Sequence, residues 1–341
     1  MKNEPLISVL LPVYNAAPYI RTAIASILEQ TYGHCELIVI NDGSTDGSDR
    51  IVKAIHDSRI RMIDQPNRGL SASLNGAIAI AQGDYFARQD ADDIALPRRF
   101  ERQVEFLQGH PTVGMVGTWA EVRSEYPTVD KLYAPSIESH VLKFDLLFDN
   151  PFVHSSMMIR REALNRVGTY CEDKDVKAED YELWSRVARE YELANIPETL
   201  QIYRDTPNSK LKRENNAILD HVINVSITNL AWMTKRDRSD PIVNDLSALA
   251  HGAYHRVQGH STLHDLTELL FEAADRLNHA GHGSVAGVQE KADAQCKTVR
   301  YHYDLYHRYY KGGRFRRKLM QLSQLVKRNI PFRRSSVARG H

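Results

Sequence analysis

An α/β domain built on a mostly parallel sheet, followed by an all-helical region, is the fold class this sequence predicts. Three observations predict it. Strand-sized apolar runs alternate with helix-period segments from Ile7 to Leu107. Polar clusters punctuate the strand ends. After about Asn208 strand signals stop and only helical periodicity continues.

Ile7–Val13 reads as a buried strand and Pro18–Gln30 as a helix with Ile20, Ile24, Ile27 and Leu28 on one side. Glu36–Ile40 reads as a strand, Ser48–Ile55 as a helix, Ile60–Ile63 as a short strand and Leu70–Ala81 as a helix. Tyr85–Gln89 is a further strand, and Leu96–Leu107 a helix with Pro97 in its first turn. Alternation with such short connections implies a parallel sheet covered on both faces. From Val113 to Arg204 the pattern is mixed, with short strands at Gly114–Trp119, Ser156–Ile159 and Leu200–Tyr203 among helices. Leu219–Met233, Ile242–Val257, Leu263–Leu277 and Val285–Tyr310 are helical. A boundary near 205–212 separates a first domain, 1–208, from a helical region, 209–341.

With 341 residues, 42% apolar and 26% charged, the chain has the composition of an ordinary soluble globular protein. Cys35, Cys171 and Cys296 are far apart, which suggests a reducing compartment and no disulfide framework. The apolar run Leu6–Val13 is interrupted by Pro12, and no uncharged span of about 20 residues occurs, so no membrane crossing is expected. Residues 311–341 carry ten Lys or Arg and no Asp or Glu, so the near-neutral total hides an acidic body and a basic end. In that end Phe315, Leu319, Leu322 and Val326 form a stripe at helical spacing, with Arg316, Arg317, Lys327 and Arg328 off it. A basic amphipathic segment of this kind suits a membrane surface, packing on the helical region, or a disordered end. The tail lacks interleaved aromatic platforms and the body is acidic, which argues against nucleic acid. His251/His255 and His260/His264 have i,i+4 spacing without the Glu of a zinc motif, and read as solvated helix faces.

In open parallel sheets, ligands bind outside the carboxyl ends of the strands. Here those ends read Pro12-Val13-Tyr14-Asn15, Asn41-Asp42-Gly43-Ser44-Thr45-Asp46-Gly47 and Asp90-Ala91-Asp92-Asp93. Each alone has a reading as a turn or a helix cap; three together point to a site. Three carboxylates within four residues repel one another unless a cation sits among them. Oxygen ligands of this kind suit Mg²⁺ or Mn²⁺, which keep waters and share a substrate phosphate. No glycine-rich phosphate loop is present. Further on, Glu179-Asp180-Tyr181-Glu182-Leu183-Trp184 opens a helix. Asp180 falls on the apolar face with Leu183, Trp184 and Val187, while Glu179 and Glu182 are expected to stay in water. A carboxylate there is either hydrogen-bonded in place or has chemistry to perform.

These residues resemble family 2 glycosyltransferases, whose fold is GT-A. The resemblance covers about residues 5–205 through Ser8–Asn15, Ile38–Asp46, Asn67-Arg68-Gly69-Leu70-Ser71, Asp90-Ala91-Asp92-Asp93 and Glu179-Asp180. It implies a nucleoside-diphosphate-sugar donor, a UDP or dTDP sugar, and inversion at the anomeric carbon. It implies Pro12, Tyr14 and Asn15 at the nucleotide, with Tyr14 stacking on the base and Asp42 bonding its edge. Arg68 would lie near the nucleotide, Asp90 at ribose or metal, and Asp92 on the metal. Asp180 would be the catalytic base, and His154 would lie near the donor sugar or metal.

Two departures stand out. Asn41 replaces the first of the usual acidic pair. Gln201-Ile202-Tyr203-Arg204 is similar to the Gln-x-x-Arg-Trp signature of processive members, but Asp205 stands where Trp would. Single-sugar transfer is therefore expected, with Arg204 at the diphosphate or in a surface salt bridge. The resulting expectation is a cytoplasmic, metal-dependent transferase, peripheral at the membrane face and acting on a glycan or lipid-linked acceptor in surface glycoconjugate synthesis. The helical region could pair copies of the chain. A non-catalytic nucleotide-sugar-binding scaffold and a sugar nucleotidyltransferase are the other readings.

Overall fold

The computed structural model describes residues 4–124, 131–173, 178–206, 215–279 and 285–311. The first strand, β1 (Ile7–Val13), is buried along nearly its whole length, as a continuous apolar run between two parallel neighbours must be. It lies between β2 (Cys35–Asp42) and β4 (Tyr85–Arg88), both parallel to it, with Val13 opposite Asn41 and Leu10 opposite Arg88. Outside β2 runs β3 (Ile60–Gln65), also parallel, with Asp42 opposite Gln65. Four strands therefore end at one sheet edge, and the polar clusters of the sequence follow three of those ends.

The full order is β3-β2-β1-β4-β8-β6-β9-β5, with β7 (Lys131–Tyr133) paired to β6 (Val113–Ser124). Beyond β4 the sheet is mixed. β8 (Met158–Arg160) is antiparallel to both β4 and β6, and β5 (Ile94–Ala95) is antiparallel to β9 (Glu192–Asp205), which is itself parallel to β6. The reason is local. After four residues β4 turns through Asp90–Asp93 straight into β5, without the crossover helix that a parallel neighbour requires. The two-residue β5 and three-residue β7 are too short for a period-2 signal. β9 runs well beyond Leu200–Tyr203, because Pro197 and the register shifts opposite Thr118–Ala120 interrupt its alternation.

Helices cover the sheet. In α1 (Ile20–Leu28), Ile20, Ile24 and Ile27 are wholly buried. Next come α2 (Ser48–Lys53), α3 (Leu70–Ile80) and α4 (Arg99–Gly109). α4 starts later than Leu96 because the Leu96 N–H donates to the Leu200 carbonyl (2.9 Å), extending the β5–β9 pairing. α5 (Ser139–Asp145), α6 (Arg161–Val167) and α7 (Glu179–Glu190) complete this part.

The chain divides into two compact units, Met1–Val222 and Ile223–His341. The division falls within α8 (Asn215–Thr234). Much of the expected boundary segment, 205–212, lies outside the described residues. In the second unit α9 (Pro241–Ala250) begins at an Asp240 cap whose carboxylate accepts from the Ile242 N–H. It stops short of the expected Val257, because Gly252 takes a left-handed φ of 64° and a 3₁₀ turn, Tyr254–Arg256, follows. His251 and His255 therefore do not share a helix. α10 (Leu263–His279) and α11 (Val285–Leu305) follow, the latter ending in a π turn at Tyr306–Tyr310. The basic segment from 312 onward lies outside the described residues. Among the described residues no helix is long and apolar enough to cross a membrane.

Candidate active site

At the end of β1, Pro12 lies half-buried opposite Ile40, and Tyr14 is 54% exposed, an uncommon state for a large aromatic side chain and one that leaves its ring available for stacking. Asn15 takes a left-handed φ of 51°. Its N–H donates to Ser44 Oγ (3.1 Å), and its amide oxygen accepts from the Thr45 N–H (2.8 Å). Asn15 thus ties the β1 loop to the β2 loop, leaving only its amide nitrogen for any ligand. Asp46 adds a second tie, accepting from the Ala17 N–H (2.8 Å) and from the Ser48 N–H and hydroxyl.

Asp42 is 4% exposed and acts as a hub. Oδ1 accepts from Gln65 Nε2 (2.7 Å) and the Arg68 N–H (2.8 Å), and Oδ2 from the Gly69 N–H (2.9 Å). It fixes the loop that opens α3. Arg68 touches Asp42 through its backbone alone. Its guanidinium is exposed, 3.9 Å from Glu172.

The acidic cluster rests on buried guanidinium groups. Arg88, 1% exposed, pairs with Asp90 Oδ1 at 2.5 Å. Asp93 is wholly buried, accepting from Ser155 Oγ and from the Arg204 N–H (2.8 Å). Burial first, then the charges of Asp90 and Asp92, push its carboxyl well up. Asp92 is only partly buried, and burial with the charge of Asp90 raises it to about 6. Arg99 lies beneath, donating to Gln89 Oε1, the Ser155 carbonyl and Gln201 Oε1 at 3.0, 2.7 and 2.6 Å. Burial lowers its pKa to about 9, against the favourable charge of Asp93. Arg204 stands over the Tyr19 ring, 5.5 Å from its centroid, and its charge reaches Asp92. The Gln201–Arg204 segment therefore serves as a support for the acidic cluster.

Asp180 lies partly buried in the first turn of α7, where the helix end favours negative charge. Oδ1 accepts from the Tyr181 N–H and Oδ2 from Asn150 Nδ2, both at 2.8 Å. Glu182 is partly exposed and pairs with Arg186, but Glu179 is buried, 6% exposed, contrary to expectation. The helix begins with Glu179 turned inward beside the buried Ala178 and Tyr181, while Asp180 and Glu182 stay partly exposed. The segment carrying Asn150 continues to His154 and Ser155. His154 Nε2 is 2.9 Å from Tyr170 Oη, and its ring stands edge-on to Trp184 at 5.7 Å. One short stretch thus grips Asp180 at Asn150 and Asp93 at Ser155. Five residues of chain cannot exceed about 18 Å, which bounds how far apart the two anchoring points of this stretch can lie.

Comparison with known proteins bears on what this arrangement is. The family model described as Glycosyl transferase family 2 matches residues 8–168. A protein of Haemophilus influenzae named "uncharacterized glycosyltransferase" is 34% identical over 292 residues, covering 81% of this chain and 88% of that one. The chain belongs to glycosyltransferase family 2. Among solved structures, Staphylococcus aureus TarS 1-349 in complex with UDP-GlcNAc matches with a TM-score of 0.59 and 16% identity, over 89% of this chain and 93% of that one. The mannosyltransferase PcManGT from Pyrobaculum calidifontis, in complex with GDP-Man and Mn²⁺, matches at 0.51 and 19%, over 89% and 87%. The fold of this glycosyltransferase is GT-A, with a helical C-terminal region.

Several residues of the transferase site escaped the sequence reading. Asn150 had a weak signal, an Asn-Pro pair before a histidine. Arg88 and Arg99 had none, since single arginines in a strand and a helix read as surface charges. Trp184 read as part of an apolar helix face, and Tyr170 carried no signal. For a divalent cation the available donors are Asp92 and Asp90, the latter shared with Arg88; both oxygens of Asp93 are engaged. Among the described residues no group of three or more acidic, His or Cys side chains closes into a cage. Two carboxylates, one of them raised by burial and by the charge of the other, fit an ion that retains waters and takes other oxygens from a diphosphate.

Proposed function

We propose that this transferase moves one sugar from a nucleoside-diphosphate donor, a UDP or dTDP sugar, to a hydroxyl of a glycan or lipid-linked acceptor, with inversion. The observation that supports the reading is the Asn150–Ser155 stretch, which hydrogen-bonds the Asp180 carboxylate at one end and Asp93 of the acidic cluster at the other. The donors in the TarS and PcManGT complexes support the donor class.

In this reading Tyr14 stacks on the base and Asp42 meets its edge. Asp92 and Asp90 would hold Mg²⁺ or Mn²⁺, which supplies positive charge to the departing diphosphate. Arg204 adds charge on the same side. The acceptor oxygen bonds to the anomeric carbon as the carbon–oxygen bond to the diphosphate breaks. Asp180 takes the hydroxyl proton, and the nucleoside diphosphate leaves with the bonding pair. Attack opposite the leaving group inverts the centre. Asp205 in place of Trp favours release after one transfer. The basic end, 311–341, would hold the enzyme at an anionic cytoplasmic membrane face near a lipid-linked acceptor.

The test is Asp180→Asn alongside a donor screen. One nucleotide sugar should raise the melting temperature of wild type with Mn²⁺ but not with EDTA, and Asp180→Asn should keep that shift while losing transfer by about 10²–10⁴-fold. Normal transfer by Asp180→Asn would remove the base assignment. Donor binding without transfer to any acceptor by wild type would favour the scaffold reading.

A further inference from the structure

The chemistry above leaves Tyr170 unused, although it stands at the centre of the site. Its side chain is 3% exposed, so it cannot itself make substantial contact with a sugar. Its hydroxyl meets His154 Nε2 at 2.9 Å, and its ring packs against His154 and Trp184 at centroid distances of 5.7 and 6.3 Å. Burial foremost, then the charges of Asp180, Glu179 and Asp90 against the opposing charge of Arg88, push its ionisation far up. The phenol is therefore within electrostatic reach of both the base candidate and the acidic cluster.

The backbone beneath this ring is held as firmly as the ring. Asn75 Nδ2 donates to the Tyr170 carbonyl at 2.8 Å, and the Tyr170 N–H donates to Asn75 Oδ1 at 3.0 Å. This reciprocal pair fixes both backbone polar groups of Tyr170 from α3, the helix whose opening loop is held by Asp42. On the far side, His154 stands edge-on to Trp184, one helical turn beyond Asp180. A continuous line of contacts thus runs from the loop beside Asp42, through Asn75 and Tyr170, to His154 and the helix of Asp180.

We infer that Tyr170 is a positioning residue, whose hydroxyl sets the orientation and tautomer of His154 and which acts on sugar transfer only through that imidazole. The inference rests on the reading of His154 as a residue of the donor-sugar subsite. A phenol donating to Nε2 leaves the ring proton on Nδ1, so the two nitrogens have distinct, fixed roles. Groups that orient a functional histidine from behind typically matter by about 10- to 100-fold.

Tyr170→Phe deletes the hydroxyl and keeps the ring, so packing against Trp184 survives. Expected is a loss in kcat of about 10-fold, with donor KM within about twofold, and altered imidazole nitrogen resonances for His154. His154→Ala should lose at least as much, and adding Tyr170→Phe to it should cost nothing further, as two residues acting in series require. Asn75→Ala should likewise be costly alone and silent in the His154→Ala background. A Tyr170→Phe loss that persists undiminished without His154, or unchanged His154 resonances, would overturn the inference while leaving the subsite reading intact. Wild-type transfer by His154→Ala would overturn the subsite reading, and the inference with it.

Discussion

Asn150 donates its side-chain amide to the Asp180 carboxylate at 2.8 Å, from a segment that reaches Asp93 through Ser155 five residues later. A carboxylate on a helix start can rotate; this one is held at both oxygens, by Asn150 and by the Tyr181 N–H. The consequence is a carboxylate with a fixed direction. Asn150→Ala should lower kcat by about 10- to 100-fold with little change in donor affinity, read from initial rates and donor titration.

Gly43 should tolerate no side chain. Its φ is +74°, and a Cβ placed there would stand 2.9 Å from the Asn67 backbone nitrogen. Gly43→Ala therefore combines a left-handed backbone with a push on the loop that Asp42 holds. Expected is a loss of at least about 1 kcal/mol in denaturant unfolding, together with weaker donor binding.

Asp42→Ala should cost more. It strips the acceptor from Gln65 and from two backbone N–H groups at a position 4% exposed. Unpaired buried donors cost about 1–3 kcal/mol each where water cannot replace the partner. We expect a total near 3 kcal/mol in urea titration, and loss of donor binding even at temperatures where the variant remains folded.

Acid should loosen the loops that follow β1 and β2 before it unfolds the sheet. Burial raises the Asp46 carboxyl, but donation from Ser48 and the Ala17 N–H outweighs this and holds it below the ordinary value of 3.8. Asp57 is held at about 2, chiefly by the Arg59 side chain. A depressed folded-state pKa means that the stabilisation is complete above the ordinary value and is lost as pH falls through the folded one. Urea midpoints should therefore fall between about pH 4 and 2, with a smaller decline in Asp46→Asn.

The strand ends were legible because they are local. An apolar run followed by Tyr14-Asn15, Asn41-Asp42-Gly43 or Asp90–Asp93 declares both the strand and the point where it stops. Asp180 was legible for a related reason, as a carboxylate on the apolar side of a helical wheel. Glu179 was misread because the first turn of α7 packs it inward beside Ala178 and Tyr181 and leaves Asp180 and Glu182 as the partly exposed carboxylates. The strands β5 and β7 were missed because they have only two and three residues, too few to carry a period, whereas β8 overlaps the expected Ser156–Ile159.

What the sequence determined by itself was the alternation of strands and helices, the helical C-terminal region and the kinds of side chain at the sheet edge. Those follow from periodicity and residue chemistry, which act over a few neighbours. Only the tertiary structure decided which groups meet: Asn150 with Asp180, Ser155 and Arg204 with Asp93, Arg99 with Gln201, and Tyr170 with His154. These partners lie between 16 and 111 positions apart along the chain. No local pattern encodes such contacts, because each is set by how the sheet folds back on itself and by the need of every buried charge for a partner.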